Sequence, residues 1–283
     1  MTSRSSASSG TGDEFSHWGA TEDNTSAAAE SRCSSPRWSR LRLAASVLLL
    51  ASASAAAQTA GPSVDDILNH YIRALGGKAA IQKLTSRVGK GTITITGAGI
   101  EGTLQAWMMY PNKLLAVIEL PGIGTLRQGF DGTLGWAQDP QGELRVVTGA
   151  ELADLRRSAT FDRALRMKDI YPGLTLKDRE TLGGKDVWVL ETTLDPWTYR
   201  MYFDVNSGLI VRFEMEQPLD SGGKSTVVLV PDDYRPVAGV LVPFTLSESG
   251  PAANWVEKFT EFTPNVPIDD ALFARPQRAT NPQ

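Results

Sequence analysis

The sequence predicts a mainly β protein with added helices: one large, strongly curved antiparallel sheet, a partly closed barrel, with helices over its open side. Three observations lead there. Ten or more short segments alternate apolar and polar residues with period two, the mark of strands with one buried and one wet face. These segments follow one another through Gly, Pro, Asn and Asp turns, interrupted by one helical insertion. Two helical stretches, 63–84 and 148–168, serve as covers for a sheet that must close, curl or be covered, and the short helix pair in the first is not stable alone.

In chain order, residues 1–36 are Ser, Thr, Ala, Gly and charge with almost no large apolar side chains, and read as a disordered leader. Residues 37–57 have the parts of a secretory signal peptide: a basic run from Arg37 to Arg42, an apolar run from Leu43 to Ala53, and small residues Ala55–Ala57 before Gln58. The apolar run is short for a membrane span; an uncleaved anchor is the alternative reading. Export places the protein in the periplasm or outside the cell. The mature chain from about Gln58 keeps the net charge of −4, because the leader carries five basic and five acidic residues. That mild acidity argues against nucleic acid as a partner. Cys33, the one cysteine, lies before the apolar run, so the mature chain has no disulfide, no cysteine metal site and no lipid-accepting cysteine.

Ser63 starts a helix with Asp65 and Asp66 in its first turn and Ile67, Leu68, Tyr71, Ile72 and Leu75 at helical spacing; Gly76-Gly77 ends it. A short helix over 78–84 follows. Strands are expected over 87–96, 100–110, 113–120, 125–130, 134–138 and 143–147. Thr148 is positioned to cap a helix reaching about Met167 and broken near 158–161, with Arg156, Arg157, Arg163, Arg166 and Lys168 forming a basic face that reads as solvated. Strands resume over 174–182 and 186–194.

The clearest pair of strands runs from Thr198 to Gln217. Tyr199, Met201 and Phe203 share one face of the first, opposite Arg200, Tyr202 and Asp204. Leu209, Val211, Phe213 and Met215 share one face of the second, opposite Ile210, Arg212, Glu214 and Glu216. Asp204 to Gly208 supplies the turn, with Gly208 free to take positive φ. Strands over 224–234, 240–249 and 254–262 and a helical turn over 268–273 complete a domain spanning 58–275, followed by a flexible tail, 276–283. Pro111, Pro121, Pro231 and Pro243 suit sheet edges.

Catalytic and metal patterns are scarce. The mature chain has one histidine, His70, without a second ligand at helical spacing, and no Gly-x-Ser-x-Gly. Gly222-Gly223-Lys224-Ser225 lacks the upstream glycine of a phosphate loop, and Gly97 to Gly102 has no helix after it; both read as turns. Asp131, Asp195 and Asp204 stand in turn contexts where aspartate is ordinary. No cofactor and no metal are expected, and the protein is not read as an enzyme.

Apolar strand surface is abundant instead. Leu104, Met108, Ile118, Phe130, Trp136, Trp188, Leu190, Tyr199, Met201, Phe203, Phe213 and Met215 are expected on inward faces, with Ala116 and Leu126 beside them. Each can be ordinary core. As a set they outline a site for acyl chains, to which Met and aromatic side chains adapt well.

The order of motifs resembles a known family. These are the exported leader, Leu75-Gly76-Gly77, Phe130-Asp131-Gly132-Thr133-Leu134-Gly135-Trp136, Gly184-Lys185-Asp186-Val187-Trp188-Val189-Leu190, Tyr202-Phe203-Asp204-Val205-Asn206-Ser207-Gly208-Leu209-Ile210 and Phe259-Thr260-Glu261-Phe262. Together, over roughly 63–275, they resemble the outer-membrane lipoprotein-sorting protein family, the periplasmic lipoprotein carrier of the Lol pathway and its broader relatives. The resemblance implies an incomplete, unclosed antiparallel β-barrel with a helical lid over an apolar cavity that holds acyl chains, and no catalytic residue. Arg87 and Arg127 are the candidates for an arginine that locks the lid. The expected function is an exported carrier binding acyl chains of a lipid or lipoprotein, acting as a monomer between membrane-bound donor and acceptor proteins. The alternatives are an envelope sensor or assembly module that binds a protein on the same sheet, and a secreted hydrolase, which the single histidine disfavours.

Overall fold

The structure, a computed structural model, describes residues 61–219, 223–251 and 254–277. The leader 1–36 with Cys33, the signal segment 37–57 and all but the first two residues of the 276–283 tail lie outside them.

Helix α1, Val64–Ala74, begins at a capping box. The Ser63 hydroxyl accepts from the Asp66 N–H at 3.1 Å, and the Asp66 carboxylate accepts from the Ser63 N–H at 2.9 Å. Helix α2 is Lys78–Gln82. The insertion comprises α3, Gly149–Ala159, a 3-10 turn over Arg163–Arg166, and α4, Met167–Ile170, so the expected break falls at Thr160. Thr148 occupies the cap position of α3, but its side chain makes no capping hydrogen bond.

Thirteen strands form one antiparallel sheet. They are β1 (Ser86–Ile95), β2 (Ile100–Met109), β3 (Lys113–Leu120), β4 (Gly124–Phe130), β5 (Gly135–Gln138), β6 (Leu144–Val147), β7 (Thr175–Leu182), β8 (Lys185–Leu194), β9 (Trp197–Asp204), β10 (Ile210–Pro218), β11 (Lys224–Val237), β12 (Val240–Ser249) and β13 (Asn254–Pro264). Their order is β6-β5-β4-β3-β2-β1-β13-β12-β11-β10-β9-β8-β7. All neighbours are hairpin partners except one pair. The β1–β13 ladder joins the first and last strands of the chain, and β6 and β7 are left as free edges. The sheet is therefore an unclosed antiparallel barrel. Because α3 follows β6 and α4 precedes β7, the helical insertion runs from one free edge to the other.

Three expectations are corrected. First, a bulge between Ile210 and Arg212 shifts the register of β10 against β9. One added residue reverses the alternation. Ile210 opposes Phe203 and packs with Phe213 and Met215, while Val211 packs on the other face with Val187, Val189 and Tyr202. Second, Pro231 and Pro243 lie in interior strands, not in β6 or β7. β10 pairs with β11 only as far as Leu229, and β13 pairs with β12 only from Thr245 onward. The β11–β12 ribbon beyond those points has one ladder per strand, so a proline without an N–H costs it no second ladder. Third, Trp136 does not face inward. Gly135 takes that side, against Leu152 and Leu155 of α3, and the Trp136 ring lies across Gly129 on the opposite face. There it packs with Leu115 and Phe273, and its Nε1 donates to the Phe273 carbonyl at 2.9 Å. The 3-10 turn Asp270–Phe273 thus seals the outer face of β2–β5.

Phe273 is fully buried by that contact. Phe273→Ala is expected to lower the unfolding free energy by about 3–5 kcal/mol, read as a shifted denaturation midpoint at unchanged slope.

Candidate ligand-binding face

Residues directly opposed across a ladder share a face. Leu190 opposes Met201, Met201 opposes Phe213, Phe213 opposes Leu229, and Leu229 opposes Glu248. The row continues through Trp255 and Ile95 to Ile100. One face can therefore be followed from β8 through the β13–β1 seam to β2. The helices are on it.

The helices do not cover it evenly. Over β8–β10, Leu190, Tyr199, Met201 and Phe203 are closed off by Ile67 and Leu68 of α1, Met167 of α4, and Tyr171. Trp188, Phe213 and Met215 pack against the same cluster. At the other edge, Phe130 and Val147 are covered by Leu155 and Ala159 of α3. Between these two sits an apolar cluster of Leu104, Val237, Val242, Phe244 and Phe259, with Ala106, Ile118, Leu246 and Phe262 packed against it. Every one of these residues is on a strand; among the described residues no helical side chain belongs to it.

Of the expected ligand-facing residues, Leu104 and Ile118 fall in this strand-only cluster. Leu190, Tyr199, Met201, Phe203, Trp188, Phe213 and Met215 lie under α1 and α4, and Phe130 under α3. Met108 places its sulfur 3.2 Å from an Arg87 guanidinium nitrogen. Sequence reasoning missed the contribution of β12 and β13. Val240, Val242, Phe244 and Leu246 do alternate, but Leu241 and Pro243 between them blur the pattern. Phe259 and Phe262 are three apart and share a face only because the ladder slips between Lys90 and Gly91. Gly89 makes room for them: a Cβ there would stand 2.5 Å from the Phe262 ring.

Charged groups border the apolar cluster. Glu248 and Glu257 lie diagonally across the β12–β13 ladder, opposite Trp255 and Leu246. Burial pushes the Glu248 carboxyl up to about 7, with the Asp154 charge adding to it. Burial does the same to Glu257, up to about 7, with Glu248 adding to it. Arg87 stands 5.3 Å over the Phe262 ring, and burial, then the neighbouring Arg163 charge, lowers it to about 10.

Arg157 was expected on a solvated basic face, and the structure corrects this. Its side chain is 13% exposed and reaches into the sheet. The guanidinium donates to the Tyr199 hydroxyl, stacks 4.8 Å over that ring, and pairs with Asp154 at 3.5 Å. Burial, then the Asp154 charge, pushes the Tyr199 hydroxyl up to about 12, so it stays a neutral acceptor and donor. α3 is thereby fastened to β9. His70 sits on α1 with its ring against Gly208 of the β9–β10 turn. Among the described residues no cluster of three His, Cys, Asp or Glu side chains could hold a metal.

Carboxyls raised on folding bind protons more tightly in the folded chain than in the unfolded one. Their contribution is complete below the ordinary value of 4.5 and is lost as pH rises through about 7. The wild type is expected to lose stability between those values relative to a Glu248→Gln/Glu257→Gln variant. Denaturation midpoints measured across that pH range check it; parallel curves for the two proteins would contradict it.

No family model matches the sequence, and no curated protein matches it. Solved structures do. A DUF1329 family protein from Desulfovibrio piger superposes with a TM-score of 0.52 at 12% identity, covering 75% of this chain and 97% of that one. A putative outer membrane lipoprotein-sorting protein domain from Vibrio parahaemolyticus gives 0.46 at 10% identity, over 67% and 89% of the two chains. A LolA superfamily protein from Nitrosomonas europaea gives 0.47 at 15% identity, over 75% and 98%. At 12% identity the likeness to the first of these is one of fold.

Proposed function

We propose that this protein is an exported, non-catalytic binder that carries acyl chains of a lipid or lipoprotein on the concave face of its sheet. The strand-only cluster around Leu104, Val242, Phe244 and Phe259 carries this reading. Helices close both flanks of this apolar face, and the middle is built from strand side chains buried against one another, so a guest would enter by parting strand side chains and not by displacing a helix. The apolar residues there offer dispersion contacts without directed chemistry, which suits methylene chains. The flanks are structural. Leu190, Tyr199, Met201 and Phe203 anchor α1 and α4, and the Arg157–Tyr199 contact holds α3. In this reading the protein works as a monomer, is loaded at one membrane and unloaded at another, and uses its leader for export.

Native mass spectrometry of the protein purified from an exporting host without detergent tests it. An extractable acyl-chain adduct is expected. Leu246→Glu, at a half-buried position of the same cluster, is expected to weaken binding of a fluorescent acyl probe at least tenfold, because a charge would enter the apolar face, while the fold persists by circular dichroism. Met201→Glu is expected instead to unfold the domain. A bare mass together with no probe binding would sink the carrier reading.

A further inference from the structure

A cleft of about 390 Å³ opens between α3, α4 and the β8–β9 turn. Ala153, Ile170, Pro172 and Leu194 give it apolar walls. Arg157 and Trp197 also line it, and these two side chains share an unusual property. Arg157 Nε and Trp197 Nε1 are both buried, and neither has a hydrogen-bond partner among the described residues. A buried donor without an acceptor costs about 1–3 kcal/mol. Native proteins keep such groups rarely, and typically where a water, ion or ligand completes them. Here two such donors belong to residues of separate elements, one helix and one strand, that line the same cleft.

The charges at the cleft select the kind of acceptor. The Arg157 guanidinium is already matched by Asp154 at 3.5 Å. Asp195 lines the same cleft and forms no ion pair among the described residues. A ligand carboxylate or phosphate would meet an uncompensated carboxylate, whereas a neutral oxygen would meet two idle N–H groups in an apolar setting.

We propose that this cleft is a subsite for the carbonyl of a neutral acyl ester or amide. The carbonyl oxygen accepts from Trp197 Nε1 and Arg157 Nε, and the first methylenes of the chain lie against Ala153, Ile170 and Leu194. Both nitrogens are closed to solvent in this structure, so seating the oxygen takes rotations of both the Arg157 and the Trp197 side chains toward the free volume of the cleft. The inference rests on the acyl-binding reading and sharpens it: the preferred cargo has its chains esterified or amidated.

The test is displacement of a fluorescent acyl probe from the purified mature protein by methyl palmitate, palmitate and hexadecane. Wild type is expected to bind the ester more tightly than the free acid. Trp197→Phe keeps the ring bulk and removes one donor. It is expected to weaken the ester about fivefold to tenfold and to leave hexadecane within about twofold. Ala153→Phe, which fills the cleft from α3 without removing either donor, is expected to abolish the ester preference and serves if Trp197→Phe fails to fold. Equal loss for ester and hexadecane in Trp197→Phe would overturn the proposal, as would palmitate binding as tightly as its ester. Equal binding of all three ligands by wild type would leave the carrier reading standing and remove this one. No displacement by any of them would remove both.

Discussion

A thirteen-stranded antiparallel sheet cannot lie flat, because each strand twists against the next. What decides the molecule is where the resulting curl is pinned. The β1–β13 ladder pairs the start of the sheet with its end, from Arg87 against Pro264 to Ile95 against Trp255. Every other ladder is a hairpin that could form locally. This seam alone spans the chain, and the order of all thirteen strands follows from it. It also places the slip at Lys90 and Gly91 in the middle of the concave face, where the Phe259 and Phe262 rings come together over Gly89.

The inner face then divides by what each part is given to bury. Beneath α1 and α4 the side chains are large, aromatic and sealed, and the sheet behaves as the floor of an ordinary core. Beneath α3 a smaller core does the same for the other edge. The part between is apolar but furnished by strands only, bordered by Arg87 on one side and by Glu248 and Glu257 on another. Those carboxyls are costly to ionise where they stand, which keeps the border close to neutral at the acid side of neutrality.

Much of this was legible in the residues. Period-two alternation and turn chemistry located the strands, and Ser63 with Asp66 announced the capping box of α1. The inward face of β9 was read correctly because Tyr199, Met201 and Phe203 alternate without interruption. The misses have local causes. A bulge is one extra residue with no sequence mark, so Ile210 and Val211 were exchanged. Trp136 has the bulk of a core residue, and it is one, but the core it joins is completed by Phe273, which is 137 positions away. Arg157 belongs by composition to a basic stripe; only the fold brings Tyr199 and Asp154 to it. Long-range partners and one-residue slips are the information that periodicity does not carry.

The segment between β6 and β7 bears on how far the barrel can gape. It is a wedge: Leu155 and Ala159 of α3 pack on Phe130 and Val147, and Arg157 between them in sequence reaches Tyr199 from another flank of the same turn. The spacing between those two parts of the sheet is therefore set by the thickness of a helix, about 10 Å with its side chains. Changing the bulk of the side chains at Leu155, Arg157 or Ala159 would shift that spacing while leaving every ladder intact.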